Sequence, residues 1–584
     1  MFNTHTFPGL RSYLTGNKNG TRYFVQGKGE IKLGQSDFKA QGGEGSIYVK
    51  SSKAYKIYRN PSRAIQPAKI AELSVLTQPN IIRPIDIVLN EKNEAIGYSM
   101  QHVDKAFAMC QLFPKAFRQR HNLTPERTLL LVRRLQQGVA HVHSKGILIV
   151  DLNELNFLVA TDFGEVFFID VDSYQTPSFS ATSLMESVRD RQAKAFSTNS
   201  DWFAFAIVSF QMFVGLHPFK GSYPPLQHLS DTQRKLDARM MGNISVLHQG
   251  VSVPMSCLPF SLIPPIYLDW YRATFEEGKR TPPPNEVRPV VTILPQIRNS
   301  AIKGSSSFLM TQARECDSPI IWHDGLITIT QQSIYFEGRS FPKPAPDVKV
   351  VVTPRQRHLI AAYTNASQVK FWDLTTNKEI ESTVKGEQVA IADGKLFIKQ
   401  AESIFQIDFI EMQGRTLIGI KQVANVMMRS TQMFNGLAIQ NLLGASYASI
   451  LEASGKCYQV RLPELDGHMI IDARLEKNVL IAVIASGGNY DKLIYRFSGD
   501  FSTYDLRRLS DVTITGIEFT VLDTGVVLHL TEENELEIFS VSRGTASTKT
   551  ISDPALDGDV RLFHTGKQAL LARDKKLYRM NLKP

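Results

Sequence analysis

The sequence predicts a multidomain chain: a mixed α+β unit followed by an all-β unit built from repeated short strands. Three observations predict this. A length of 584 residues exceeds what a single core organises. Residues 279–289, KRTPPPNEVRP, carry three consecutive prolines, which cannot continue a helix and mark a boundary. Ahead of that boundary strand-like and helix-like runs alternate. From about residue 305 onward only short strands and turns occur.

Composition sets the class. A hydrophobic fraction of 43% and a charged fraction of 21% are ordinary for soluble globular protein. The net charge of +10 is uneven: residues 1–300 hold 34 Lys+Arg against 24 Asp+Glu, and residues 301–584 hold 32 of each. Within the first 150 the count is 22 against 9. Such a surplus is either a solvated basic face or one that meets phosphates or an acidic partner. No recognition helix, zinc finger or stacking-aromatic pattern points to nucleic acid. The opening MFNTHTFPGLRSYL lacks an apolar core of signal-peptide length, so a cytoplasmic protein is expected. The most apolar run, residues 202–216, is interrupted by Ser209 and Gln211 and falls short of the roughly 20 residues of a membrane span. It reads as a buried helix, with no membrane contact expected. Cys110, Cys257, Cys316 and Cys457 are too dispersed for a disulfide framework or a zinc site, and the histidines show no metal spacing.

The elements follow in order. Short β-rich runs extend to about Val103. Thr124-Pro125-Glu126 opens a helix, as a cap plus proline, that runs to about Ser144. Further helices are predicted over 201–216 and 264–277. In the second half, seven strand-like segments begin at Ser333 (SIYFEG), Val369 (VKFWDL), Ser403 (SIFQID), Cys457 (CYQVRL), Leu493 (LIYRFS), Leu536 (LEIFSV) and Lys576 (KLYRMN), at intervals of 36, 34, 54, 36, 43 and 40 residues. A period near 40 with several strands per unit predicts a β-propeller of about seven blades. Another two-sheet β fold is the alternative. The stretch QVKFWDLTTNKEIES resembles the closing part of a WD40 repeat.

Residues 146–175, GILIVDLNELNFLVATDFGEVFFIDVDSYQ, contain both Asp162-Phe163-Gly164 and Asp170-Val171-Asp172. Residues 156–159 and 166–169 are strand-like, with turn residues between. Folding about Phe163 sets Asn156 opposite Asp170. Directly opposed Cβ atoms lie about 5 Å apart, so the amide oxygen and the carboxylate would share one cation. Asp162, at the tip, is six residues or roughly 20 Å away. The literal D-F-G is therefore expected to be a turn, and Asp170 the metal ligand.

This arrangement resembles the catalytic core of protein kinases, with motifs in family order over about residues 30–285, and is similar to atypical kinase-like proteins of bacteria and their phages. The resemblance implies a bilobal protein kinase-like fold over 30–290 (small lobe about 30–103, large lobe about 104–290). An extension, 1–29, would precede it, and a linker, 291–304, and a WD40-like propeller, 305–584, would follow. Asp151 and Asn156 fill the D-x-x-x-x-N places. Asp151 would orient the acceptor hydroxyl and take its proton; Asn156 and Asp170 would hold Mg2+ or Mn2+. AQGGEGSIYVK, residues 40–50, matches the glycine-rich loop with Ala40, Gly42 and Gly45 in its glycine places. Gly42, Gly43 and Gly45 would admit the ATP phosphates. Ile47 would cover the base and Ala54 lie beside it. Lys56 would pair the phosphates with Glu72 as its partner. Met100 would flank the pocket, and Gln101 to Val103 would offer backbone bonds to adenine. Seen singly, these are a glycine hairpin, a strand lysine and an edge strand. SDWFAFAIVSFQMFVGLHPFKG from Ser200 resembles the central helix of the large lobe, capped by Ser200 or Asp201, with Asp201 bracing the catalytic loop. Arg280 takes the family's late arginine place.

Three departures qualify the resemblance. Ile149-Val150 stand where the family carries His-Arg, which removes the cation that meets an activation-segment phosphate. Asn153 replaces the catalytic-loop lysine; losing one such contact typically costs about 3–4 kcal/mol. No A-P-E follows Asp170, and Glu186 is the substitute partner expected for Arg280. Two readings stay open: an ATP-dependent Ser/Thr protein kinase whose propeller recruits a protein substrate, and a pseudokinase or nucleotide-binding scaffold whose propeller is the working surface. A small-molecule phosphotransferase would share the core. Residues 173–200 are rich in Ser and Thr and form a candidate self-phosphorylation segment.

Overall fold

In the computed structural model the described residues are 20–583, apart from 230, 255–256, 286–303, 366, 414, 487, 513–515, 542–547 and 558. The expected linker, 291–304, falls outside them but for its last residue.

The first unit opens with a seven-stranded antiparallel sheet. Its strands are β1 (Thr21–Val25), β2 (Gly29–Leu33), β3 (Phe38–Gln41), β4 (Gly45–Lys50), β5 (Lys53–Tyr58), β6 (Asp86–Leu89) and β7 (Ala95–Gln101), in the order β2-β1-β6-β7-β5-β4-β3. Strand β1 pairs with β6, so residues 21–33 belong to the sheet and lie partly within the segment expected as an extension. Lys56 on β5 stands opposite Tyr98 on β7. Its neighbour Gly97 has no room for a side chain: a Cβ there would sit 2.1 Å from the Lys56 carbonyl oxygen. That approach draws β5 and β7 together at the lysine. A seven-residue helix, α1 (Pro67–Leu73), packs over the sheet, burying Lys69, Ile70 and Leu73.

Below it lies a helical half. Helices α2 (Lys115–His121), α3 (Pro125–Ser144), α4 (Thr198–Val214), α5 (Thr232–Met241) and α6 (Pro265–Phe275) surround a small sheet of β8 (Ala106–Ala108), β9 (Phe157–Ala160) and β10 (Val166–Phe168). The Thr124 hydroxyl caps α3 by accepting from Arg127 N, with Pro125 in the first turn, as its sequence predicts. Gly138 breaks the apolar seam of α3 because the Phe168 ring occupies the place of its Cβ, 2.3 Å away. Helix α4 buries residues 201–214 on every face. Ser197 caps it, not Ser200 or Asp201; its hydroxyl accepts from Ser200 N. Asp201 is thereby freed for the loop before β9.

The second half contains seven four-stranded antiparallel sheets among the described residues. Six are consecutive meanders over 320–342, 349–380, 388–425, 431–461, 469–509 and 519–552. The seventh joins Phe308–Glu315 to the three strands of 560–582. Apolar clusters link every neighbouring pair: Ile334 with Leu359, Ile360 with Leu396, Phe397 with Ala438, Leu437 with Leu480, Ile481 with Phe519, Leu536 with Leu571, and Phe563 with Ile320. The last pair closes the ring. Six of the seven sequence segments lie on the third strand of a sheet; CYQVRL is a fourth strand, and its sheet's third strand is Ala445–Leu451. That accounts for the 54-residue interval, since 403 to 445 is 42.

The two units share one apolar cluster, in which Cys110 and Phe113 of the first join Ile471, Val483 and Tyr490 of the ring. No helix among the described residues is long and apolar enough to cross a membrane.

Candidate functional site

The site lies where β4 and β5 overhang the β9–β10 hairpin. Gly45 is held against β5, since a Cβ would stand 2.3 Å from the Ile57 carbonyl oxygen. Gly42 and Gly43 face open space: a Cβ added to either would meet no heavy atom closer than 4.0 Å. The turn between is tied by Gly42 N donating to Gly45 O at 2.9 Å. Gly42, Gly43, Gly45, Ile47, Ala54 and Lys56 line one cleft. Met100, Gln101, Val103, Asp151, Asn156 and Asp170 line the same space, which continues to Ile321, Arg429 and His564 of the second half.

The hairpin register runs one residue tighter than expected. Phe168 pairs with Phe157, and Ile169 N donates to Asn156 O at 3.0 Å, so Asn156 faces Ile169 rather than Asp170. Asp170 follows in the left-handed region, φ +58°, and this turn swings its carboxylate back beneath β5. Asp162 is exposed at the tip, where its Oδ1 accepts from Gly164 N at 2.9 Å. The literal D-F-G is a turn, as expected.

Lys56, only 5% exposed, is the hub. Its Nζ donates to Asp170 Oδ1 at 2.7 Å, Asp172 Oδ2 at 2.8 Å and Glu44 Oε2 at 3.0 Å. Asp172 is locked further by the Tyr58 hydroxyl at 2.5 Å and the Tyr98 hydroxyl at 2.7 Å, and its carbonyl accepts from Lys69 Nζ at 2.7 Å. Burial works against a charged ammonium at Lys56, but the Tyr98 hydroxyl and the two aspartates outweigh it and hold its pKa well above that of an ordinary lysine. Burial also penalises the Asp172 carboxylate. Lys56 and the tyrosine hydroxyls overcome that penalty and keep Asp172 ionised, below the usual range. Asp170 is raised instead, by burial and by the neighbouring Asp172 charge.

Glu72 is not the partner of Lys56. It sits on the outer side of α1 and accepts from Ser178 N at 3.2 Å. Helix α1 turns Lys69, Ile70 and Leu73 inward and leaves Glu72, its one acid, on the other side; Asp172 supplies the carboxylate.

The catalytic-loop candidates are held by backbone strain and buried bonds. Val150 adopts φ +65°, a costly conformation for a β-branched residue. Asp201 sustains it: its carboxylate accepts from Ile149 N at 2.8 Å, Val150 N at 2.9 Å and His143 Nε2 at 2.9 Å. Asp151 Oδ1 accepts from Met185 N at 2.7 Å and Asn153 Nδ2 at 2.8 Å. Among the described residues Asp151 Oδ2 has only a long contact, 3.4 Å, from Asn156 Nδ2. Asn153 is buried and orients this carboxylate; it adds no charge to the cleft. Asn156 Nδ2 donates to Asp151 O at 2.9 Å, which leaves its Oδ1 as the oxygen for a cation.

The late arginine finds a different acid from the one expected. Arg280 grips Asp190 in two bonds, Nε to Oδ2 at 2.6 Å and Nη2 to Oδ1 at 2.9 Å, while Glu186 pairs with Arg189 and Arg191.

The carboxylates of Glu44, Asp170 and Asp172 offer oxygens within 4.8 Å of one another. Hard oxygen donors of this kind suit Mg2+ or Mn2+, and the open flank of Gly42 and Gly43 suits close backbone approach by phosphates. The residues present therefore fit a nucleotide with a divalent cation. Glu44 stands within the glycine-rich stretch of residues 40–50, whereas Asp172, Tyr58, Tyr98 and Met185 belong to the site without a motif that marks them in the sequence. For Asp172 the only signal is its place two residues after Asp170.

Comparison with known proteins agrees with this geometry. The protein kinase domain family model matches residues 45–250. Protein kinase YegI of Escherichia coli O157:H7 is 24% identical over 266 residues, covering 41% of this chain and 40% of the relative. YegI of Escherichia coli strain K12 is 23% identical over the same length, with the same coverage. Myosin light chain kinase family member 4 of Homo sapiens is 27% identical over 167 residues, 26% of this chain and 40% of the relative. The chain spans about 40% of the length of the curated relatives it matches.

Proposed function

We propose that this chain is an ATP-dependent protein kinase, of serine/threonine type, whose ring is a WD40-like β-propeller that recruits the protein substrate. The observation that carries the reading is the joint placement of Lys56, Asp170, Asn156 and the underused Asp151 Oδ2 in one cleft, within the family-matched region. Seven four-stranded sheets with a closing strand taken from the start of the unit support the propeller. The WD40 likeness is supported at residues 358–373, where His358 Nδ1 meets Asp373 Oδ2 at 2.8 Å. Unpaired cysteines accord with a reducing, cytoplasmic compartment.

ATP bound in the cleft would supply the γ-phosphoryl group, and a divalent cation would neutralise its charge. Asn156 Oδ1 and Asp170 would hold the cation, and Glu44 lies close enough to join them. Lys56, kept cationic by Asp172, meets the phosphates. Asp151, fixed through Oδ1, presents Oδ2 to the acceptor hydroxyl and takes its proton. Because Oδ1 is saturated by neutral donors, Oδ2 is the basic oxygen.

A nucleotide-binding scaffold is favoured by one observation, the neutral and buried Asn153 where the family places a lysine. Transfer of labelled γ-phosphate from ATP to the protein or to generic acceptors separates the two. Transfer by the wild type that Asp151→Asn abolishes supports the kinase. ATP binding with no transfer by either protein supports the scaffold.

A further inference from the structure

The ring meets the first unit at the catalytic loop itself. Glu154, three residues after Asp151, is 2% exposed, and its Oε1 accepts from the Tyr490 hydroxyl of the ring at 2.7 Å. A buried carboxylate left without a donor carries a large desolvation penalty, so this bond binds the loop to the ring. Beside it, Gly488 adopts φ +87° and lies directly against residues 185–187. A Cβ there would stand 2.7 Å from Met185 Cγ and 2.9 Å from Ser187 Oγ. Met185 is the residue whose amide holds Asp151 Oδ1, and Ser187 O accepts from His217 Nε2 at 2.9 Å. On the far side of that segment Lys220 pairs with Asp511 of the ring at 2.7 Å. One edge of the ring thus touches the catalytic loop, the segment that orients the catalytic aspartate, and the turn after α4.

This contact meets a need that the sequence leaves open. Val150, buried and apolar, stands where phosphate-gated members of the family carry an arginine, so no cation at that position can gather the segment around a phosphate. We propose that the ring orders the segment instead: Tyr490 and Asp511 are positioning residues that hold the catalytic loop and residues 182–190 in the working arrangement without phosphorylation. Substrate capture by the ring and the geometry of Asp151 are then coupled through the same sheet edge. The inference rests on the kinase reading for its effect on transfer, but not for its effect on the segment.

The test uses the full chain. Tyr490→Phe keeps the ring packing and removes one hydroxyl; Asp511→Asn independently takes the charge out of the second contact. Arg357→Ala, an exposed ring position paired with Glu337, is the control. Amide exchange over 149–156 and 182–190 is followed by mass spectrometry, alongside the kinetics of transfer. Both contact variants are expected to speed exchange in 182–190 by about tenfold or more. They should lower kcat by about tenfold with the KM for ATP within about twofold, the pattern of a misplaced base rather than a lost nucleotide contact. Unchanged exchange in both variants overturns the proposal, whether or not the wild type transfers phosphate. Faster exchange with no transfer by any protein leaves it standing and counts against the kinase reading alone.

Discussion

Lys56 is anchored by Asp172, with Nζ 2.8 Å from Oδ2, and not by an acid on helix α1. In the kinase family the corresponding lysine is held by a glutamate on a helix that can move in and out. Here the anchor sits two residues after Asp170, on the same turn, and two tyrosine hydroxyls and the Lys69 ammonium fix it there. The lysine and the metal-ligand candidate are therefore set by one rigid piece of chain.

The first prediction concerns that anchor. Asp172→Asn leaves Lys56 leaning on Asp170, the proposed cation ligand, and should weaken binding of ATP with Mg2+ by about tenfold or more, as expected for a buried charge that loses its partner. Glu72→Gln should change it by less than about twofold, as for a partly exposed acid that does not touch Lys56. Titration with a fluorescent ATP analogue measures both. Equal affinities would remove Asp172 from this role.

Two glycines should be intolerant for packing reasons alone. A methyl at Gly138 meets the Phe168 ring at 2.3 Å, and one at Gly97 meets the Lys56 carbonyl at 2.1 Å. Gly138→Ala should destabilise by about 1–3 kcal/mol, the usual cost of overpacking. Gly97→Ala should cost more, because backbone cannot step aside as a ring can. Denaturant unfolding, read by midpoint and slope, checks the order.

Acid should weaken the helical half of the first unit through His217. Burial depresses this imidazole to about 3. The neutral form is satisfied, with Nε2 donating to Ser187 O and Nδ1 accepting from Phe219 N at 3.2 Å. An unfolded histidine titrates near 6.5. The stabilisation is therefore complete above about pH 6.5 and is lost as pH falls towards 3, where only the unfolded chain takes the proton. Melting temperatures across that window should fall, and His217→Gln should flatten the fall. An unchanged slope in the variant would contradict the assignment.

Much of this is legible in the sequence because local rules fix it. The α3 start, the buried α4 and the turn at Asp162 follow from caps, composition and turn residues, and each stands as expected. Most of the departures are choices made by tertiary contact. The hairpin register is the exception: it differs by one because the loop closes with Ala160 opposite Glu165 and Phe163 in the left-handed region, a turn geometry that alternation of side chains does not reveal. Glu72 is the only acid on its helix, and its short spacing to Pro79-Asn80 is the one local sign against it. The actual anchor, Asp172, becomes recognisable only when β5, β7 and the turn after β10 converge. Asp190 supplants Glu186 at Arg280 for the same reason: both acids are near in sequence, and folding selects one. In the ring, the fourth strand CYQVRL passes for a third because both show the same two-residue alternation.

The central claim is that Asp170, not the look-alike Asp162, serves the cation in a working phosphoryl-transfer site. Its most direct measurement is γ-phosphate transfer from ATP with Mg2+ or Mn2+ by the wild type, Asp170→Asn and Asp162→Asn under one protocol. The account predicts transfer by the wild type and by Asp162→Asn, within about twofold of each other as for a solvent-facing turn, and background only for Asp170→Asn. Transfer that survives Asp170→Asn, or that is lost in Asp162→Asn, would contradict it.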